Sequence, residues 1–501
     1  MYLFSQNFIM DNNNRLSNRS GKAILLHWIL ASFSIVMIPV AGCKKLIEVD
    51  PPIQDVVGSD IYSSNATAAS VLTGIYSDMS NYGIFTGVSS IAVKTGLSAD
   101  ELVSVTSPPD ILSVLYSNSL TNNGNELFWS DLYAYIFRTN AAIEGISASS
   151  QIITSVKQQL LGEARFLRAF MYFYLVNFYG DVPLLTNTDI KANSVAPRTN
   201  KDKVYEQIIQ DLQDAQNNLN ENYVGADGVT VVQERVRPNK AAATALLARA
   251  YLYTNQWSLA EQEASKLIAA TSSYQLEAPE AVFLSTSKEA IWQLQPVAPS
   301  YNTLDAVAFI LEAIPMGPNS SRPVFLSKNI FNAFEPGDTR KNTWIDSVTV
   351  DNKTYAYPAK YKVYLPDQPR TEYLTVLRLS EQYLIRGEAR AQQGRLNGPN
   401  SAEEDINAVR SRAGLGPTAA ASQVTILDAI LQEKKVEFFT EWGHRWCDLK
   451  RTAKVDEVMN IVAPAKGGSW AAYKALYPIP VQDIQRNPSL KGHQNPGYPE
   501  Q

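Results

Sequence analysis

Cysteine and histidine are scarce here: the chain of 501 residues holds two of the first and three of the second. His27 sits inside an apolar N-terminal stretch, so only His444 and His493 remain beyond it, too few for a multi-histidine metal site. Nothing in the composition calls for a cofactor. A basic block is missing too. Lysine and arginine number 44 against 49 acidic residues, a formal net charge of −5, and they are spread along the chain. Nucleic-acid binding, which needs a clustered cationic face, is thereby excluded. The length is ample for a large core, and by length alone two or three domains are expected.

The two cysteines stand in different settings. Arg15, Arg19 and Lys22 precede an apolar run over residues 23–40, and Val40-Ala41-Gly42 leads directly into Cys43. A basic flank, an apolar segment and small residues before a cut describe a secretory signal. A cysteine right after that small pair is what a bacterial lipoprotein signal needs, because its thiol can take a thioether-linked lipid. The rival reading is an uncleaved spanning helix. Against it, His27, Ser32, Ser34 and Pro39 interrupt the run, and Lys44-Lys45 put positive charge on its far side as well. Charge on both flanks gives a spanning helix no clear orientation. The expectation is therefore a signal over residues 1–42, long enough to point to a later translation start, and a mature chain lipidated at Cys43. Cys447 is then left without a partner, and stability must come from packing rather than a disulfide.

Residues 43–60, with Pro51-Pro52, read as an extended linker behind the lipid. Helical periodicity predicts helices over residues 66–80 and 127–146, with an irregular Gly-, Ser- and Asn-rich stretch over 81–126 between them. From residue 156 the pattern becomes repetitive. A long helix over 156–179, stopped by Gly180-Asp181-Val182-Pro183, pairs with one over 203–219. Residues 239–253 and 258–270 follow, where Leu247, Ala248, Tyr251, Ala260, Ala264 and Leu267 keep the tetratricopeptide spacing. A third pair is expected over 374–393 and 401–413, and a fourth begins over 420–442. The predicted fold is mainly α: a right-handed tetratricopeptide-like solenoid of about four helix pairs. Residues 271–372 lack helical periodicity over too long a span for a simple loop. They read, together with 81–126, as an inserted loop-rich lobe with short strands, where binding sites usually sit. The regions expected are thus 61–270, the lobe over 271–372, and 373–501.

Clustered acids and bases tempt an enzymatic reading. Glu437, Glu441, His444, Arg445, Asp448 and Arg451 could serve acid–base chemistry, and Glu163, Glu381 and Glu388 could stand as paired carboxylates of a glycosidase. Each of these acids has a basic residue within reach, Arg165, Arg168 and Arg378 among them, in helices dense with apolar neighbours. Ion pairing within and between helices is the better account. Trp129 and Trp446 likewise read as packing residues.

One set of segments is family-specific. It includes Asp100-Glu101-Leu102, Leu127-Phe128-Trp129 with Tyr133, Ile136 and Asn140, and Gly162-Glu163-Ala164-Arg165-Phe166-Leu167-Arg168-Ala169 with Tyr172. Tyr179-Gly180-Asp181-Val182-Pro183 and Arg237-Pro238-Asn239-Lys240-Ala241-Ala242 follow, then Leu377-Arg378-Leu379-Ser380-Glu381 with Gly387-Glu388-Ala389. Ile406-Asn407, Val409-Arg410, Arg412-Ala413-Gly414-Leu415 and Glu433-Lys434-Lys435-Val436-Glu437-Phe438 come next. Gly443-His444-Arg445-Trp446, Asp448-Leu449-Lys450-Arg451, Tyr477-Pro478-Ile479-Pro480 and Gln494-Asn495-Pro496-Gly497-Tyr498 close the set. In these motifs and their order, over almost the whole mature chain, the protein resembles the SusD/RagB family of nutrient-uptake outer-membrane lipoproteins. Ser380 departs from a usual alanine, and Lys44-Lys45 replace the acidic cluster often linked to surface export, although Glu48 and Asp50 are close.

The resemblance implies a non-catalytic cell-surface protein that captures a nutrient, commonly an oligosaccharide, and hands it to a SusC-like TonB-dependent transporter. Its expected partners are that transporter, the ligand and the outer membrane through the N-terminal lipid. Other readings are a surface glycosidase, a transporter-lid scaffold, or a peptide-capturing member without glycan affinity. Sugar rings stack a C–H face on aromatics while their hydroxyls seek Asn, Asp, Gln and Arg. The ligand candidates in the irregular regions are accordingly Tyr82, Phe85, Tyr116 and Asn118, and Tyr301, Asn302, Arg322 and Trp344.

Overall fold

A computed structural model describes residues 61–81, 83–121, 127–298, 300–317 and 320–500. The signal, Cys43, the linker and Tyr82 lie outside the described residues. The chain opens with helix α1 (Asn65–Asn81), two short 3-10 turns, α2 (Ile91–Ser98), strand β1 (Leu102–Ser104) and α3 (Ile111–Tyr116). The long helices α4 (Trp129–Ala148) and α5 (Thr154–Tyr179) come next, then α6 (Ile190–Asn193), α7 (Lys201–Asn218), α8 (Lys240–Tyr253) and α9 (Trp257–Ala269). The following stretch holds β2 (Ala290–Leu294), α10 (Leu304–Phe309), β3 (Val324–Leu326), α11 (Lys328–Phe331), α12 (Thr339–Trp344), β4 (Ile345–Val350), β5 (Lys353–Pro358) and β6 (Leu374–Arg378). Helices α13 (Leu379–Gln392), α14 (Ala402–Arg412), α15 (Gln423–Glu437), α16 (His444–Arg451), α17 (Val455–Ala465) and α18 (Val481–Arg486) complete it.

The helices start and stop where side chains satisfy their ends. Asn200, Asn239 and Ser401 accept hydrogen bonds from the first-turn amides of α7, α8 and α14, and Ser422 with Thr425 forms a capping box on α15. Gly180, at φ +73, ends α5 in a conformation side chains resist. From Phe166 to Tyr179 nearly every residue of α5 is buried, so this helix runs through the centre with α4 and α7 against its flanks. Gly162 is what lets α7 close on it: a Cβ there would stand 2.8 Å from Leu219 Cγ. The stack continues α7 on α8, α8 on α9, α9 on α13, α13 on α14 and α15. The repeat is thus unbroken across residues 270–378, which loop out between α9 and α13, as the solenoid reading requires.

The looped-out stretch is anchored by strands. β3 pairs antiparallel with β1, so the two irregular regions meet, as the sequence indicated. β2 pairs antiparallel with β6, and β4 with β5 forms a hairpin from Ile345↔Pro358 to Val350↔Lys353. Two sequence expectations need correction. Residues 374–378, expected at the start of a helix, are strand β6, because an apolar run buried at all five positions is equally compatible with a strand once β2 supplies its ladder. The helix expected over 420–442 ends at Glu437, where Thr440, Trp442 and Gly443 all take positive φ and turn the chain into α16. No helix among the described residues is long and apolar enough to cross a membrane.

Candidate ligand-binding site

The lobe is bolted to the solenoid by buried charge. Arg340, at the start of α12, donates to Glu433 (2.6 Å) and Glu437 (2.7 Å) on α15 and to Asp338 (2.7 Å). Arg378, at the end of β6, reaches Glu289 (2.8 Å), Glu437 and Glu441 (2.8 Å), and Arg412 joins it on Glu437. Lys360 donates to Glu441 and to the Glu437 carbonyl (2.8 Å). Burial alone would raise the Glu437 carboxyl, but Arg412, Arg378 and Arg340 hold it well below the ordinary range. Glu388, buried between Arg451 and Lys434, is likewise held down at about 2. The remaining tempting groups are spent the same way. Glu163 binds Arg237 (2.8 Å), Arg168 binds Asp211 (2.6 Å), Arg249 holds Glu381 (2.5 Å), and Arg445 clasps Asp100 (2.8 Å). Trp129 and Trp446 are core residues, as expected.

Several ligand candidates belong to this interior. Trp344 has no exposed surface. Its indole lies under the cations Lys360, Arg378 and Arg412 at 4.9, 5.9 and 5.4 Å, and its N–H donates to the Pro279 carbonyl at 2.8 Å. An aromatic face covered by charge on the protein side offers none to a ligand. Phe85 is buried against Tyr135 and Trp442, with ring centroids 5.2 and 6.1 Å away. Asn302 is a buried loop clamp: its amide donates to the Pro369 carbonyl (3.0 Å), and its oxygen accepts from the Thr371 (2.8 Å) and Glu372 (3.0 Å) amides. Asn118, at φ 50, donates to the Ser98 carbonyl (2.8 Å), while Tyr116 is half-buried with Lys466 5.3 Å from its ring. Those two face α2 and the C-terminal region, not the other candidates.

Tyr301 and Arg322 remain partly exposed, and the fold brings their loops together. The Asn302 clamp fastens residues 300–303 to 369–372, and the Asp367 amide donates to the Ser300 carbonyl at 2.7 Å. Arg370 donates to the Pro296 and Ala298 carbonyls at 2.9 and 2.8 Å. Glu312 accepts from Arg322 (2.5 Å) and from the Tyr364 hydroxyl (3.0 Å), with the guanidinium 5.3 Å from the Tyr364 ring. Those two hydrogen bonds hold the Glu312 carboxyl below its ordinary range. At the end of α1, the Ser80 hydroxyl donates to the Gln295 carbonyl (2.5 Å), so that helix terminus borders the same rim. Exposed Val297, Ile314, Met316 and Leu365 stand on these loops too. The result is an aromatic and apolar rim with a fixed acid–guanidinium pair, suited to sugar faces and hydroxyls. Tyr364 and Glu312 were missed from sequence. The signal available was the run 361–373, in which Tyr361, Tyr364 and Tyr373 stand around Pro366 and Pro369 and which carries no helical period.

Comparison with known proteins places this architecture. Residues 45–252 match a family model described as starch-binding and associating with the outer membrane, and residues 337–498 match the model of the SusD family. A SusD-like protein of Formosa agariphila is 24% identical over 516 residues, covering 90% of this chain and 95% of its own. Among solved structures, a laminarin-binding SusD-like protein superposes with a TM-score of 0.67 at 23% identity, covering 87% of this chain and 98% of its own. Surface glycan-binding protein A from Bacteroides fluxus gives 0.69 at 22% identity, covering 87% and 100%. With two models of one family matching well over half of its length between them, and with that family's fold, the chain belongs to the SusD/RagB family.

Proposed function

We propose that this protein is a non-catalytic, lipid-anchored glycan-binding protein of the cell surface that passes its ligand to a SusC-like TonB-dependent transporter. The observation that carries the reading is the rim formed by Tyr301, Arg322 and Tyr364 with Glu312, on loops clamped by Asn302 and seated on a lobe bolted to the solenoid. Such a platform holds its contacts in place before the ligand arrives, so little ordering is lost on binding. The non-catalytic part is supported by the fate of the clustered carboxylates Glu163, Glu381, Glu388, Glu437 and Glu441, which are committed to arginines and lysines. The family description, starch-binding and outer-membrane-associating, supports ligand class and location, and relatives named for laminarin and surface glycan binding support a saccharide. The anchor at Cys43 and the transporter rest on the sequence motif and the family.

A panel of plant and host oligosaccharides, followed by titration calorimetry and by product analysis, tests this. Binding without cleavage is expected, with Tyr364→Ala and Arg322→Ala each weakening it about tenfold, the worth of one stacked or charged contact. Cleavage by the protein alone would show an enzyme, and a flat titration against every glycan would leave a transporter scaffold.

A further inference from the structure

Apart from the rim, a cleft of about 720 Å³ opens between the end of α7, the loop before α8, the end of α9 and the first part of the lobe, where Ser272, Ser273, Tyr274 and Lys288 line it. Its charges are lopsided. Arg235, Lys240, Lys266 and Lys288 line it against the single carboxylate of Glu221, in a protein whose formal net charge is −5. Lys240 lies 3.4 Å from Glu221, and Lys266 is 2.7 Å from Glu263 outside the cleft. For Arg235 and Lys288 no ion pair occurs among the described residues. Arg235 is held in place by neutral groups: it donates to the Ala290 (2.5 Å) and Ser273 (2.9 Å) carbonyls, over the rings of Tyr223 and Tyr274 at 5.5 and 5.0 Å. Those two tyrosines are locked together by a 2.7 Å hydroxyl–hydroxyl bond. The arginines of the interior, by contrast, are matched to carboxylates. A fixed guanidinium without its own counter-ion, beside an exposed ammonium, is a standing demand for an anion.

Beside aliphatic Val231, Val232 and Leu267, the rest of the lining is largely amide and hydroxyl, Asn217, Asn222, Gln233 and Ser272 among it. These supply donors and acceptors for hydroxyls, and the volume lies in the usual range of small-ligand sites. We propose that this cleft is a second saccharide site, separate from the rim of the lobe, that takes the anionic unit of an acidic glycan: a uronate carboxylate or a sulfate ester. The inference rests on the reading of the protein as a saccharide-capturing one.

Calorimetry on the full-length protein in detergent, at low and at physiological salt, tests it with three probes: an oligogalacturonate, a sulfated oligosaccharide and a neutral β-glucan oligosaccharide. The expected result is that an acidic probe binds and weakens as salt rises. The double variant Lys240→Gln/Lys288→Gln, both positions exposed, should bind it at least tenfold more weakly, and Tyr364→Ala should leave it unchanged. Which acidic probe binds tells carboxylate from sulfate. Failure of both acidic probes to bind at low salt, or equal binding by the double variant, overturns the cleft. The neutral probe and Tyr364→Ala report on the rim independently, so loss of one reading is seen apart from the other.

Discussion

Glu437 shows what a single carboxylate does in this molecule. It is fully buried, and three arginines, Arg340, Arg378 and Arg412, converge on its two oxygens. A buried charge network is weak evidence of net stability, since replacing all of it by apolar groups can be neutral. Removing one member is different, because the remaining charges are left uncompensated. Glu437→Gln is therefore expected to lower the unfolding free energy by about 3–5 kcal/mol, measured by urea denaturation at neutral pH. The pH sign follows from the depressed carboxyl: its contribution is complete above the ordinary glutamate range and is lost as acid approaches the folded-state value. The variant's deficit should thus shrink on acidification, and a constant deficit would remove Glu437 from the account. From sequence, the ionic role of this group was legible because bases stand within a turn or two. The partners themselves were not, since Arg340 and Arg378 lie 97 and 59 positions away.

Two contacts set how whole elements meet. Gly162 is the point of closest approach between α5 and the end of α7, with Leu219 Cγ 2.8 Å from where a Cβ would sit. Gly162→Val should overpack that contact and cost about 1–3 kcal/mol, read from the denaturation midpoint; an unchanged midpoint would mean the helices separate freely. Asp305, in the first turn of α10, holds the turn before α2 by accepting from the Gly87 amide (2.8 Å) and the Thr86 hydroxyl (3.0 Å). Burial lifts its carboxyl to about 6, with those two donors pulling the other way. An acid whose folded value is raised stabilises fully below the unfolded value and loses that advantage as pH rises through about 6. Asp305→Asn keeps an acceptor and cannot ionise. It should match the wild type near pH 4 and be more stable by about 3 kcal/mol at pH 8. Equal stability at both pH values would refute the assignment. The helices of the repeat were legible from the 3.6-residue period. Strand β6 was not, because a short apolar run fits a strand or a helix until its partner is known.

At the scale of the molecule, the C-terminal motif ties back to the centre. The Asn495 amide donates to the Tyr179 (3.0 Å) and Tyr477 (2.7 Å) carbonyls, and Arg198 donates to its oxygen (2.6 Å), closing the tail on the end of α5. The lipid anchor proposed at Cys43 would hold the molecule at the membrane. Cys43→Ala is expected to leave an unprocessed precursor or to release the protein from membranes, assayed by fractionation and by labelling with a lipid precursor; normal lipidation of the variant would sink the anchor.

By itself the sequence determined the kind of molecule: the repeating helix pairs and the family motifs. Each is a local pattern, written in residues close together along the chain. Tertiary structure alone decided which aromatics are available to a ligand. Trp344, a candidate from sequence, lies beneath three cations, while Tyr364, which the sequence did not single out, stands partly exposed on a loop beside Arg322. Burial is set by what packs over a residue from distant parts of the chain, and the cleft around Arg235 is likewise assembled from elements that only the fold brings together.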